Sequence, residues 1–176
     1  MSGGGGSAGD LRAAFDRVFA EPPPGRPERP EPFLHIGVAG QPYLVALAEV
    51  AGVHAGCTIA PLPSTAHELL GLAGIRGEPV PVFGLAALLG GAAGAEDQRW
   101  IVLAAGPVPL GFAFDMLEGY RGIAPGDIVA GDGGQEPWLG GTAAMAGAGR
   151  CPILRLAVLA EMLAARADRA NRERER

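Results

Sequence analysis

Two stretches of this chain occur twice, at nearly the same spacing. Tyr43 to Val53 (YLVALAEVAGV) lines up with Leu110 to Tyr120 (LGFAFDMLEGY), and Pro81 to Leu89 (PVFGLAALL) lines up with Pro152 to Ala160 (PILRLAVLA). The step from Tyr43 to Leu110 is almost as long as the step from Pro81 to Pro152. Two offsets this similar indicate a doubled unit: a hairpin, a crossing segment, then a proline-led apolar strand running into a helical turn. The apolar runs are short and turn residues interrupt them often, which favours small barrels over a sandwich of long strands. At 176 residues the chain suffices for one domain or two small subdomains sharing a core, and its 48% apolar content can fill that core.

The order of the segments predicts the organisation. Residues 1–9 are a Gly-Ser tail, and Asp10 to Ala20 reads as a short amphipathic helix capped by Asp10, with Leu11, Phe15, Val18 and Phe19 on one face. So short a helix needs something to pack on, either its own domain or a separate partner. Glu21 to Pro32 is a proline-rich, semi-rigid linker. The spacing predicts strands over Phe33–Val38 and Tyr43–Val53 joined at Ala39-Gly40-Gln41-Pro42. A second hairpin, Arg99–Ala105 with Leu110–Tyr120, turns at Gly106-Pro107. Gly90–Gln98 and Pro125–Pro137 read as loops, Thr142–Ala148 and Cys151–Leu156 as short strands, and Ala157–Arg169 as a helix. The division is therefore a tail over 1–32, a folded domain over 33–165 and a charged tail over 166–176, whose NRERER end reads as frayed.

The chain is organised around Pro63 to Gly90, PSTAHELLGLAGIRGEPVPVFGLAALLG, which closes the first of the two units. Ser64 to Leu72 has helix length and Ser64 can cap it. Pro79–Leu85 has strand length, and Ala86–Leu89 reads as a helical turn stopped by Gly90. The turn Gly74-Ile75-Arg76-Gly77 sets one bulky apolar and one cationic side chain between glycines. Glycine permits the sharp bend, and arginine offers a planar donor fork suited to a carboxylate or to exposed carbonyls. The turn displays side chains; it holds no acid, base or nucleophile.

Catalytic and metal chemistry finds little support elsewhere. His54 and Cys57 are close in sequence, but a Cys-His dyad is a spatial arrangement and no Asn or Asp orienter accompanies them. His35 falls within a strand and reads as half-buried; His67 reads as solvated. The three histidines lack metal-ligand spacing, so no metal or other cofactor is expected. All 14 cations are arginine, and a chain without lysine cannot build a phosphate-binding P-loop. Asp115, inside an apolar strand segment, reads as capping a turn or pairing with an arginine more readily than as a catalytic carboxylate. A net charge of −5 argues against a nucleic-acid binder. No stretch is apolar for long enough to cross a membrane and no secretory signal is visible, so direct membrane insertion is not expected. Cys57 and Cys151 have no CxxC partner and read as small buried hydrophobes in a reduced, cytoplasmic protein.

Pro63, Leu70, Gly71, Leu72, Ile75, Arg76, Gly77, Pro81, Val82 and Leu85 fall in step with a known signature. This run resembles the CheW-like domains, the chemotaxis coupling proteins. The likeness extends over about Phe33 to Leu163 and includes Gly111-Phe112-Ala113-Phe114-Asp115-Met116-Leu117 and the block from Trp138 to Leu156. The resemblance implies a mainly β fold, two small SH3-like five-stranded β-barrel subdomains with short helices. It also implies a non-enzymatic adaptor in bacterial chemosensory signalling, associated with membrane chemoreceptor arrays. That adaptor would couple the cytoplasmic tip of a methyl-accepting chemoreceptor to the regulatory domain of a CheA-type histidine kinase. Carried over residue by residue, Ile75, Arg76, Gly77 and Tyr120 would face the receptor, and Val50, Gly52 and Val53 the kinase. Where the family pattern has Glu, Asn and Asp, this chain has Gly52, Gly74 and Gly84. Two alternatives are a stand-alone small-barrel ligand-binding protein and a divergent scaffold in another system such as surface motility. An enzyme ranks last.

Overall fold

The computed structural model describes residues 29–64, 66–91, 100–132, 134, 136–145, 147 and 149–174. The predicted helix over Asp10–Ala20 and most of the Gly90–Gln98 loop lie outside them. The first half of the chain forms strands β1 (Glu31–Val38), β2 (Gln41–Ala46), β3 (Val50–Ala55), β4 (Ile59–Ala60), β5 (Leu69–Ile75) and β6 (Glu78–Gly84), then a single helical turn, α1 (Leu85–Leu88). The second half forms β7 (Trp100–Ala104), β8 (Gly111–Phe114), β9 (Met116–Ile123), β10 (Ile128–Ala130), β11 (Leu139–Met145) and β12 (Gly149–Leu154). It ends in a long helix, α2 (Leu156–Arg174).

The strands make two six-stranded sheets, ordered β10-β11-β12-β2-β1-β9 and β3-β7-β8-β6-β5-β4. Each sheet is assembled from a hairpin of one half and the strands of the other. The fold is thus mainly β in two small subdomains, with the very short β4 and β10 bringing each sheet to six strands rather than five. Taken from its other end, the first order is β9-β1-β2-β12-β11-β10, which matches the second strand for strand. The register shows the same doubling. In the parallel pair β12 and β2, Ile153 lies opposite Leu44; in the parallel pair β6 and β8, Val82 lies opposite Gly111. Leu44 and Gly111 are one residue into the first repeated stretch and its copy, and Val82 and Ile153 are one residue into the second and its copy. The repeats therefore occupy equivalent places in the two subdomains.

Several expected elements differ, among them the Pro125–Pro137 loop, which holds a 3₁₀ turn and strand β10 (Ile128–Ala130) paired with β11. Tyr43–Val53 is not one strand: a 3₁₀ turn at Leu47–Glu49 separates β2 from β3, which go to different sheets. Leu110–Tyr120 breaks likewise at Asp115, between β8 and β9. Ser64–Leu72 is not a helix. Ser64 Oγ only accepts the Ala66 N–H at 3.1 Å, and the chain from Leu69 onward is strand β5 between β4 and β6. Gly71 explains the outcome. It sits at a register shift with φ +145°, and a Cβ there would come 2.0 Å from the Ala60 carbonyl oxygen. Only glycine allows that approach, and helical backbone does not provide it. Its counterpart Gly141 (φ +131°) would clash with the Val129 carbonyl oxygen at 2.1 Å. The C-terminal segment, read as frayed, continues as helix to Arg174.

Side chains alternate between a shared core and each subdomain's own interior, as the two-residue period of a strand requires. Leu34, Ile36 and Val38 of β1, Val102 and Ala104 of β7, and Phe112 and Phe114 of β8 meet Leu156, Leu159 and Leu163 of α2 in the shared core. Ile101, Leu103 and Ala113, on the opposite faces, pack with Ile75, Val80 and Val82 inside the second subdomain. Phe33, Leu44, Cys151 and Ile153 fill the first. Strands buried on both faces read as continuous apolar runs, hence the lack of clean alternation in WIVLA and GFAF. Phe112 and Phe114 are fully buried, and burying each contributes roughly 1.5–3 kcal/mol.

Candidate functional site

The turn between β5 and β6 has two residues, Arg76 and Gly77, because Ile75 lies opposite Glu78. Both have positive φ, +53° and +86°. That geometry matches the right-handed twist of a tight hairpin and suits glycine; a side-chain residue in it is strained by about 1–2 kcal/mol. Arg76 is exposed at the tip. Ile75 is not: it is 4% exposed and points into the second subdomain's core. The expectation that the turn displays Ile75 is corrected, because alternation along β5 turns that side chain inward while its neighbour faces solvent. Ile75 anchors the turn and Arg76 is what it presents.

Gly52 lies beside Arg76. A Cβ at Gly52 would come 3.6 Å from Arg76 Nη2 and 3.2 Å from His54 Nε2. The guanidinium therefore lies along β3, the edge strand of its sheet, so the residues expected to face the receptor and the kinase meet on one face. Val50 and Val53 flank it, half-buried and packed against the shared core. Among the described residues no carboxylate forms a salt bridge with Arg76. Tyr120, 61% exposed, is on β9, the edge strand of the other sheet. The structure makes it the counterpart of Val53. Gly119, opposite His35 on β1, and Gly52, opposite Leu103 on β7, hold equivalent places in the two sheets, and Tyr120 and Val53 follow them. Met116, 56% exposed on the same strand, pairs with Gly37; the register shift between His35 and Ile36 puts it on the opposite face from Tyr120, which pairs with Leu34.

The other candidates resolve into structure. Asp115 Oδ2 accepts the N–H of Ala39, in the β1–β2 turn, and Gly37 C=O accepts the Asp115 N–H at 3.2 Å. This carboxylate caps a turn and fastens it to the crossing from β8 to β9. Glu49, which the sequence did not single out, has a similar task. Its Oε2 accepts the Ala157 N–H at 3.2 Å, and its C=O accepts the Ala105 N–H at 2.8 Å. Glu49 and Asp115 both occur where the chain crosses between sheets. His54 turns back along β3 toward Gly52, whereas Cys57 packs on the second subdomain's core. His35 is buried with neither ring nitrogen hydrogen-bonded to a described residue, and His67 is exposed, 3.6 Å from Glu68. Cys151 is buried, and desolvation pushes its thiol up to about 11. Burial, then Glu136 and Cys151, raises the Tyr43 phenol. No group of three potential metal ligands forms among the described residues, and no described helix is long and apolar enough to cross a membrane.

Comparison with known proteins agrees with this architecture. A family model described as the CheW-like domain matches residues 32–164. Among solved structures, the crystal structure of the scaffolding protein TtCheW from Thermoanaerobacter tengcongensis is similar with a TM-score of 0.63 at 19% identity. The match covers 72% of this chain and 89% of that one. Comparison with curated proteins gives no match. The matched residues run from the start of β1 into α2, spanning both sheets, the Arg76 turn and the shared core, and the chain belongs to the CheW-like family.

Proposed function

We propose that this protein is a non-enzymatic adaptor that holds a chemoreceptor's cytoplasmic tip and a CheA-type histidine kinase together in a cytoplasmic chemosensory array. Membership of a family of scaffolding proteins supports the adaptor role. The observation that carries the contact assignment is Arg76, an exposed cation held in left-handed backbone beside an open edge strand. Strain of this kind persists where the surrounding structure fixes it and the side chain is used.

Arg76 and Gly77 form the receptor side, with Tyr120 as an apolar contact on the other subdomain's edge. Val50, Gly52 and Val53 form the kinase side. Ile75 contributes by fixing the turn and makes no direct contact. A tight hairpin on a packed core presents the guanidinium with little conformational freedom left to lose, which lowers the cost of association. Signalling then works by position: the adaptor fixes the distance between receptor and kinase, and a receptor state that binds differently shifts the kinase population.

The test is assembly. A receptor-tip hairpin and a kinase regulatory domain from the same genome, each tagged, are sedimented together with and without this protein. A three-component complex that forms only when the protein is present supports the adaptor reading. Binding to neither partner contradicts it.

A further inference from the structure

A groove of about 150 Å³ lies between the β7–β8 loop and the first turns of α2, lined by Ala104, Ala105, Val108, Ala157, Ala160 and Ala164. Alanines make up much of its wall, with Pro107, Leu110 and Glu161 completing it, and Val108 is 58% exposed. The small side chains on the α2 wall leave room for large apolar side chains from elsewhere. We infer that its occupant is the chain's own segment Asp10–Ala20, docking as a helix with Phe15 and Phe19 in the groove.

The described chain begins at Arg29, with Pro30 against Gly122 of β9 and β1 running on toward the groove end of the sheet. Phe33 of β1 lies opposite Ala46, which leads directly into the 3₁₀ turn that ends at Glu49. Glu49 in turn bonds Ala105 and Ala157, both in the groove wall. The linker from Ala20 to Arg29 is rich in proline. Extended at about 3.1 Å per residue, it spans roughly 28 Å, ample for the segment to reach the groove. The segment's apolar residues Leu11, Phe15, Val18 and Phe19 fall at helical spacing. Arg12 borders that stripe, and Glu161 stands in the groove wall. A helix of this length is marginal alone. Tethering raises its local concentration to the millimolar range and makes docking intramolecular.

Hydrogen exchange on the full chain tests this. The peptide Leu11–Phe19 is expected to exchange at least ten-fold slower than an unstructured peptide. That protection should disappear in Phe15→Asp/Phe19→Asp, which leaves the folded body untouched, and in Ala160→Arg, which fills the groove. Core peptides of β1 and β8 serve as the folding control, and the rates should not depend on protein concentration. Unprotected exchange in the wild type overturns the inference. So does protection that survives Ala160→Arg with the core intact, which would place the segment elsewhere. Protection that grows with concentration also overturns it, making a second copy the occupant.

Discussion

Two hairpins of this protein turn in the same way and serve different ends. Ala39-Gly40 joins β1 to β2 and Arg76-Gly77 joins β5 to β6; each is a two-residue turn whose first residue has a side chain and a φ near +50°. At Ala39 the backbone N–H is bound by Asp115, at the crossing from β8 to β9, so the strained turn is braced at its tip and fastened to the point where the chain changes sheets. At Arg76 no described side chain braces the tip. That hairpin is held from below, by Ile75 in the core and by Gly71 against Ala60. A turn fixed at its base and bare at its tip is built to present a side chain; a turn fixed at its tip is built to hold the fold.

The contrast can be broken at its base first. Gly71→Ala forces a methyl into the Ala60 carbonyl, and Gly141→Ala does the same at Val129. Each is expected to cost about 3 kcal/mol or more, since strand backbone must move. Urea unfolding checks this, and equal losses at both sites would establish the two subdomains as energetic equivalents. Next is Asp115→Ala, which removes a charged acceptor from the Ala39 turn and is expected to cost about 2 kcal/mol. That corresponds to a melting point roughly 4–8 °C lower.

A smaller effect separates the two subdomain interiors. Cys151 sits within the first with its folded pKa at about 11 against an ordinary 9.0. The folded state therefore holds its proton more tightly than the unfolded chain. Stability from this group is intact below pH 9 and falls as pH rises toward 11, by about 1.4 kcal/mol at pH 10. Tyr43 shifts in the same direction. Denaturation of wild type and Cys151→Ala at pH 8 and pH 10 should show a shallower alkaline loss in the variant. Cys57, half-buried, should react first with a thiol reagent at pH 8.

The smallest expected change sharpens the comparison at the bare tip. Gly52→Glu introduces a carboxylate beside Arg76, whose Nη2 is 3.6 Å from the Cβ position. The half-exposed pair is expected to stabilise the fold by less than about 1 kcal/mol and to weaken with salt. A melting-point rise at low salt that vanishes near 1 M salt would give the tip the kind of brace that Ala39 has.

Much of this was legible in the sequence, for identifiable reasons. The doubled unit was visible because register preserves spacing: the two nearly equal offsets survive as the paired positions of the two parallel contacts. The Arg76 turn was visible because Gly77 follows a residue forced into left-handed backbone. The breaks at Leu47–Glu49 and Asp115 were hidden, because apolar residues continue through them while the chain changes sheets. Ser64–Leu72 misled because a capping serine ahead of leucines fits a helix locally. Its fate was decided by Gly71 meeting Ala60, a tertiary contact no local pattern encodes. The adjacency of Arg76 and Gly52 was equally invisible, being a contact between a turn and an edge strand well separated in the chain.

The central claim is that Arg76 serves a partner and not the fold. Its most direct test is to titrate wild type and Arg76→Glu with the receptor-tip hairpin, recording the melting temperature of the same samples. The account predicts at least a ten-fold rise in Kd, with a melting temperature within about 2 °C of wild type, as expected for an exposed tip. An unchanged Kd, or a collapse in melting temperature, would contradict it.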